Sequence, residues 1–235
     1  MSIRYIFFDL DGTLLPMDQD HFIRTYMGAL STYMQPHGFE PKHLVETVWR
    51  GTDAMFKNNG SATNEEVFWN TFTAVYGPEV RRSEPIFERF YHTRFADVQS
   101  SCGYNPEAAQ TVVKLKDMGF ELVLATQPIF PAIATENRMQ WAGLNKHDFK
   151  LYTTYENSSF CKPNPAYYQQ ILDKIGAAPD QCLMVGNDVT EDMVAQRLGM
   201  KVFLLTDCLI NKEGKDLSGY PRGNLDALLH YIQSM

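Results

Sequence analysis

Several things are scarce in this chain, and each scarcity removes a class of function. Its 235 residues contain four cysteines, Cys102, Cys161, Cys182 and Cys208, with no CxxC spacing. That argues against a disulfide framework or a zinc site and for reduced thiols in a cytoplasmic protein. No apolar stretch approaches the roughly 20 residues needed to span a bilayer. The first residues run straight into "SIRYIFFDLDG", with neither a secretory apolar segment nor a small-residue cleavage site. No run of Lys or Arg interrupts a formal charge of -7. Nucleic acids and anionic membranes are therefore not expected partners, since both draw on clustered cations. A small anion is still accessible, because it needs only one or two local cations and some backbone N–H groups.

What is present is a regular alternation. "IRYIFF" (3–8), "FELVLAT" (120–126), "QCLMVGN" (181–187) and "KVFLLT" (201–206) are short apolar runs, which read as buried parallel strands. A weaker strand is expected in "FKLYTTY" (149–155). Helical patterns lie between them. "NPEAAQTVVKLKDMG" opens with Asn105 as cap and Pro106 in the first turn, and stops at Gly119. "NPAYYQQILDKIG" repeats the design with Asn164, Pro165 and Gly176. "TEDMVAQRLGM" reads as a helix capped by Thr190 and ending near Gly199. The fold class expected is α/β, a Rossmann-like parallel sheet. Residues 17 to about 100 carry helical spacing, dense aromatics and methionines, and no convincing strand. The organisation expected is a core of residues 1–15 and 101–235, with a helical insert of residues 16–100.

Asp9 and Asp11, in "IFFDLDGTLLP", interrupt an apolar segment at the end of its first strand. Open parallel sheets bind ligands beyond the carboxyl ends of their strands. Two carboxylates about 4 Å apart repel by about 4 kcal/mol at an effective dielectric near 20. A hard divalent cation relieves this, and Mg²⁺ favours one or two carboxylates with water and phosphate oxygens. The plainer reading is a capped turn, with Asp11 and Thr13 satisfying local N–H groups. Thr126 closes the second strand, where a hydroxyl could also be only a helix cap. Lys162 in "FCKPNP" could be a solvated surface charge. Asn187, Asp188 and Asp192 in "LMVGNDVTEDM" could simply favour a helix N-terminus. Each plain reading is adequate alone; the order of all four is not easily accidental.

"DLDGTL", "CKPNP" and "GNDVTED", in this order, resemble the haloacid dehalogenase superfamily, specifically its helical-cap (C1-type) phosphatases, over nearly the whole chain. The resemblance implies Asp9 as the nucleophile forming an aspartyl-phosphate, and Asp11 as general acid and then general base. It implies Thr126 and the backbone N–H of Gln127 on the phosphoryl oxygens, with Lys162 neutralising nucleophile and transferring group. It implies Mg²⁺ held by the Asp9 side chain, the Asp11 carbonyl and an acid of the last motif, with Asp192 close by. The insert would be a cap that excludes water and contacts a small phosphorylated metabolite. His21 and Arg24, and after them Arg50, Lys57 and Arg94, are candidates for reading the substrate's polar end.

Two departures from the family pattern stand out. Gln127-Pro128 replaces the frequent Asn or Ser after the Thr126 position, and Pro128 lacks an N–H. Gly186-Asn187-Asp188 replaces Gly-Asp, so either Asp188 or a neutral Asn187 holds the metal. Asp188 is preferred, because a charged oxygen binds Mg²⁺ better. The expected activity is Mg²⁺-dependent hydrolysis of small phosphate monoesters by a monomer or homodimer. A sugar-phosphate phosphomutase is the alternative, kept by His21 in the first cap helix; a non-enzymatic phospho-ligand binder is the third reading.

Overall fold

The computed structural model describes residues 2–235. Its strands are β1 (Tyr5–Phe8), β2 (Glu121–Leu124), β3 (Leu151–Tyr152), β4 (Cys182–Gly186), β5 (Lys201–Leu205) and β6 (Arg222–Gly223). They form one sheet in the order β3-β2-β1-β4-β5-β6, and every neighbouring pair is parallel. The expected α/β Rossmann-like sheet is therefore present. β1 is flanked on both sides: Phe7 pairs with Val123 of β2 and Met184 of β4. Its continuous apolar run follows from burial on both faces, Ile6 and Phe8 in one core cluster and Tyr5 and Phe7 in the other, which leaves no polar side to show.

Alternation along each strand divides the core in two. Ile6, Phe8, Leu122, Leu124, Leu183 and Val185 pack on one face with α5 (Pro106–Asp117), α6 (Ala132–Trp141) and α8 (Leu225–Gln233). Phe7, Val123, Met184 and Val202 pack on the other with α7 (Pro165–Ile175). The caps read from sequence are made: the Asn105 side chain accepts from Glu107 N–H, and Asn164 accepts from Ala166 N–H. Such caps each stabilise by about 1 kcal/mol.

One helix differs from expectation. Residues Met193–Leu198 form a 3-10 turn, and Thr190 does not cap it. No side chain caps it; Asp188 instead braces the turn that precedes it, its Oδ1 accepting from the N–H groups of Thr190 (2.7 Å) and Glu191 (2.9 Å). The 3-10 turn then closes at Gly199 (φ +92°), too soon for regular α-helical bonding to develop.

Between β1 and α5, the described residues supply α1 (Gln19–Met34), α2 (Pro41–Phe56), α3 (Asn64–Tyr76) and α4 (Glu84–Thr93), and no strand. This segment leaves and rejoins the sheet at one place, where Met17 bridges Cys102 and Gly103 N–H donates to Pro16 O (2.7 Å). A second tie is Asn64, whose amide donates to Pro128 O (3.0 Å) and accepts from Asn58 (2.9 Å). No helix among the described residues is long and apolar enough to cross a membrane.

Candidate active site

The site forms where β1, β2 and β4 end. Leu10 O accepts from the N–H groups of Thr13 and Leu14, which folds "DGT" into a tight turn. Gly12 has φ +83°, and a Cβ there would lie 2.3 Å from Asn187 Nδ2, so both conformation and space demand glycine. The turn lets the Thr13 hydroxyl reach Asp9 Oδ2 (3.2 Å) and Asn187 Oδ1 (3.0 Å). Asn187 is fixed in turn by donating to Cys208 O (2.7 Å).

Lys162, from the loop between β3 and α7, is 1% exposed and reaches Asp9 Oδ1 at 2.8 Å and Asp192 Oδ1 at 2.7 Å. Burial works against its charge, but Asp192 and Asp9 outweigh it and hold the ammonium well above its ordinary pKa. Asp192 is fully committed, since its Oδ2 also accepts from Asp188 N–H (3.0 Å). Its work is to position Lys162. An ammonium has three protons, and two are used here, which leaves one for a ligand.

Gln127 holds the same lysine by its main chain: Oε1 accepts from Lys162 N–H (3.0 Å), and Nε2 donates to Lys162 O (3.2 Å) and Glu191 Oε2 (3.1 Å). A shorter Asn or Ser lacks that reach, which gives the departure at 127 a physical use. Thr126 is fully buried and its hydroxyl has no partner. A buried hydroxyl left unpaired costs about 1–3 kcal/mol, which a bound oxyanion would recover.

Sequence reasoning missed two participants. Arg138 of α6 is fully buried, pairs with Asp11 Oδ2 and lies 4.5 Å over the Phe130 ring. Asp11 Oδ1 is buried with no partner. Burial raises the Asp11 pKa, and the Arg138 charge only partly offsets it. Glu191 is the second; burial pushes it up to about 8. No short motif flags Arg138, because its role depends on α6 folding back over β1.

The cation candidates in the helical segment are not brought to the site. His21, Arg24, Arg50, Lys57 and Arg94 are all exposed, and none lines the cavity above Asp11. Helix periodicity left their facing ambiguous; the apolar residues beside them, Phe22 and Tyr26, took the inward positions.

For a metal, no three Asp, Glu, His or Cys side chains converge on one point among the described residues. Mg²⁺ does not require three, since water and phosphate complete its shell. Lys162 is shared by Asp9 and Asp192, Arg138 pairs with Asp11, and Asp188 has only backbone N–H groups as partners, so the carboxylates outnumber the cations and a divalent cation would offset the excess. Asp9 Oδ2, bonded only to the Thr13 hydroxyl, and the second Asp188 oxygen are the available donors. The donor set suits such an ion.

A parallel sheet with acids at the ends of β1 and β4 and a buried lysine between them places a charged centre where open α/β sheets bind their ligands. The model of the haloacid dehalogenase-like hydrolase family matches residues 3–199, and the chain belongs to that family. It is 26% identical over 214 residues to a glyceraldehyde 3-phosphate phosphatase of Methanothermobacter thermautotrophicus, covering 90% of this chain and 89% of the relative. A 2-haloacid dehalogenase from Pseudomonas syringae superposes with a TM-score of 0.65 at 22% identity, covering 99% and 98% of the two chains. A magnesium-bound HAD-hydrolase from Bacillus subtilis superposes with a TM-score of 0.54 at 19% identity, covering 99% of each.

Proposed function

We propose that this hydrolase is a Mg²⁺-dependent phosphatase of phosphate monoesters, working through an aspartyl-phosphate on Asp9, with residues 16–100 as its cap. The observation that carries the reading is the triad of Asp9, Lys162 and the unpaired Thr126 hydroxyl at one sheet edge. Asp9 is held from two sides, by Lys162 and Thr13, so its attack on phosphorus starts from a fixed orientation. As the Asp9–phosphorus bond forms and the ester P–O bond breaks, Asp11 delivers its proton to the departing alkoxide. Water then attacks the acyl-phosphate, Asp11 takes the water's proton, and Asp9 is restored with release of inorganic phosphate. Lys162 and Thr126 bind the phosphoryl oxygens throughout. Mg²⁺, held by Asp9, the Asp11 carbonyl and either Asp188 or Asn187, would neutralise further charge on those oxygens.

The shared fold with a dehalogenase does not favour that chemistry here. A halide leaves without a proton, whereas Asp11, its pKa raised by burial, suits the protonation of an alkoxide. The phosphatase reading is preferred to the phosphomutase alternative, since His21, which kept that alternative, is exposed and does not line the cavity. The test is p-nitrophenyl phosphate hydrolysis with and without Mg²⁺, in wild type and Asp9→Asn. Release that requires the metal and disappears in the variant is expected; release that survives Asp9→Asn would sink the mechanism.

A further inference from the structure

A cavity of about 660 Å³ rises from Asp11, Gln127 and Glu191 into the helical segment. It adjoins the acid that protonates the leaving group, so in the proposed reaction it holds the alcohol portion of the ester. A three-carbon alcohol occupies roughly 120 Å³, taking ~30 Å³ for each water-sized group. The space is several times larger than that.

Its walls are aromatic: Phe22, Tyr26, Trp49, Phe68, Trp69 and Phe87 all face it. Its charge is one-sided. Among the described residues no Lys or Arg lines it, while seven carboxylates do. Three of these are balanced from behind: Asp11 by Arg138, Glu84 by Arg81 and Glu136 by Lys146. Glu65, Glu88, Glu156 and Glu191 have no Lys or Arg partner. Glu65 also accepts no hydrogen bond on its side chain, although it is half-buried in the first turn of α3. Glu65, Phe68 and Trp69 stand three and four positions apart, so the helix presents them as one patch. Arg81 already lies over the Trp69 ring at 5.4 Å, but it pairs with Glu84 and does not line the cavity; Glu65 beside Phe68 is left to attract an ammonium from the cavity side. An anionic leaving group would be repelled and find no Lys or Arg to meet it, the one lining histidine, His92, standing 3.7 Å from Glu88.

Resting on the phosphatase reading, we propose that the substrate is a phosphate monoester whose leaving group has an aromatic-sized apolar body and carries an ammonium. Glu65 is the specificity-determining residue, and the aromatic walls supply the affinity for the body.

Three esters of one shape test this: O-phosphotyramine, 4-ethylphenyl phosphate and 4-(2-carboxyethyl)phenyl phosphate, assayed with Mg²⁺. The expected order of kcat/KM is ammonium, neutral, carboxylate, with steps of about tenfold, the size of one partly desolvated charge contact. Glu65→Gln should shrink the ammonium-to-neutral ratio to about one- to threefold. Hydrolysis with the carboxylate ester equal to or better than the others overturns the proposal, as does a ratio unmoved in Glu65→Gln. Calorimetry with the free alcohols separates this from failure of the phosphatase reading. Tyramine should bind wild type more tightly than 4-ethylphenol even if no ester is hydrolysed; equal binding overturns the assignment of the cavity.

Discussion

The carboxylate of Asp192 occupies the place where a side chain on Gly186 would stand: a Cβ there would lie 2.1 Å from Asp192 Oδ2. The last residue of β4 is thus bare so that an acid six positions later can fold back onto Lys162. Gly186→Ala should dislodge Asp192 and leave Lys162 with only Asp9. Breaking one arm of a buried ion cluster costs about 3–5 kcal/mol. Denaturant unfolding should register that loss, with kcat on p-nitrophenyl phosphate falling in parallel by about a hundredfold.

Arg138 holds Asp11 from beneath the site, and its charge lowers a pKa that burial has raised. Removing the charge in Arg138→Gln should raise the Asp11 pKa further. The limb of the pH–rate profile that reports Asp11 should then move to higher pH, with Arg138→Lys falling between the two. A fall in kcat with an unmoved limb would reduce Arg138 to a packing role.

Glu65 makes a separate prediction about stability. Burial, then repulsion from Glu156 and Glu84, raises its pKa above 4.5 in the folded protein. A raised folded-state pKa contributes stability that is complete below the unfolded value and is lost as pH rises through the folded one. Wild type therefore carries a penalty at pH 7.5 that Glu65→Gln lacks. The melting temperature of Glu65→Gln should exceed that of wild type at neutral pH, and the difference should vanish below pH 4.5.

Magnesium should act as a ligand of the folded state. Saturation at a hundredfold over Kd adds about 2.7 kcal/mol, and so roughly 5–10 °C in Tm for a chain of this size. Asp9→Asn should blunt the rise. Comparing Asp188→Ala with Asn187→Ala decides which of the two neighbouring residues binds the ion: the ligand's variant shows the weaker midpoint in Mg²⁺.

The sheet and its motifs were legible because each rests on local chemistry. Continuous apolar runs mark doubly covered strands, and Asn-Pro openings mark helix starts; all appear where expected. Asp9 and Asn187, just past their strands, come together with Asp192 in the turn after β4 and with Lys162, in the loop before α7. What escaped depends on long-range packing. Arg138 sits in an ordinary helix and becomes functional only because α6 crosses Asp11. Thr190 looked like a cap, but it lies in a turn braced by Asp188, and the 3-10 turn after it has no side-chain cap. The exposed cations of the helical segment were misleading for a related reason: polarity alone does not distinguish a lining residue from a solvated one. The carboxylate-rich, aromatic character of the cavity appears only when four helices are assembled.

The earliest strand in the chain is the middle strand of the finished sheet, and its neighbours lie more than a hundred residues downstream. Asp9 meets its lysine across 153 positions, and that lysine meets Asp192 across another 30. Such pairings close late, because distant segments must be gathered before any contact rewards them. The cluster of Asp9, Lys162 and Asp192 is therefore completed only when β4 and the turn after it have docked. A fragment ending before residue 180 would lack β4 and its acids, so activity and cooperative unfolding should be gained or lost in one event.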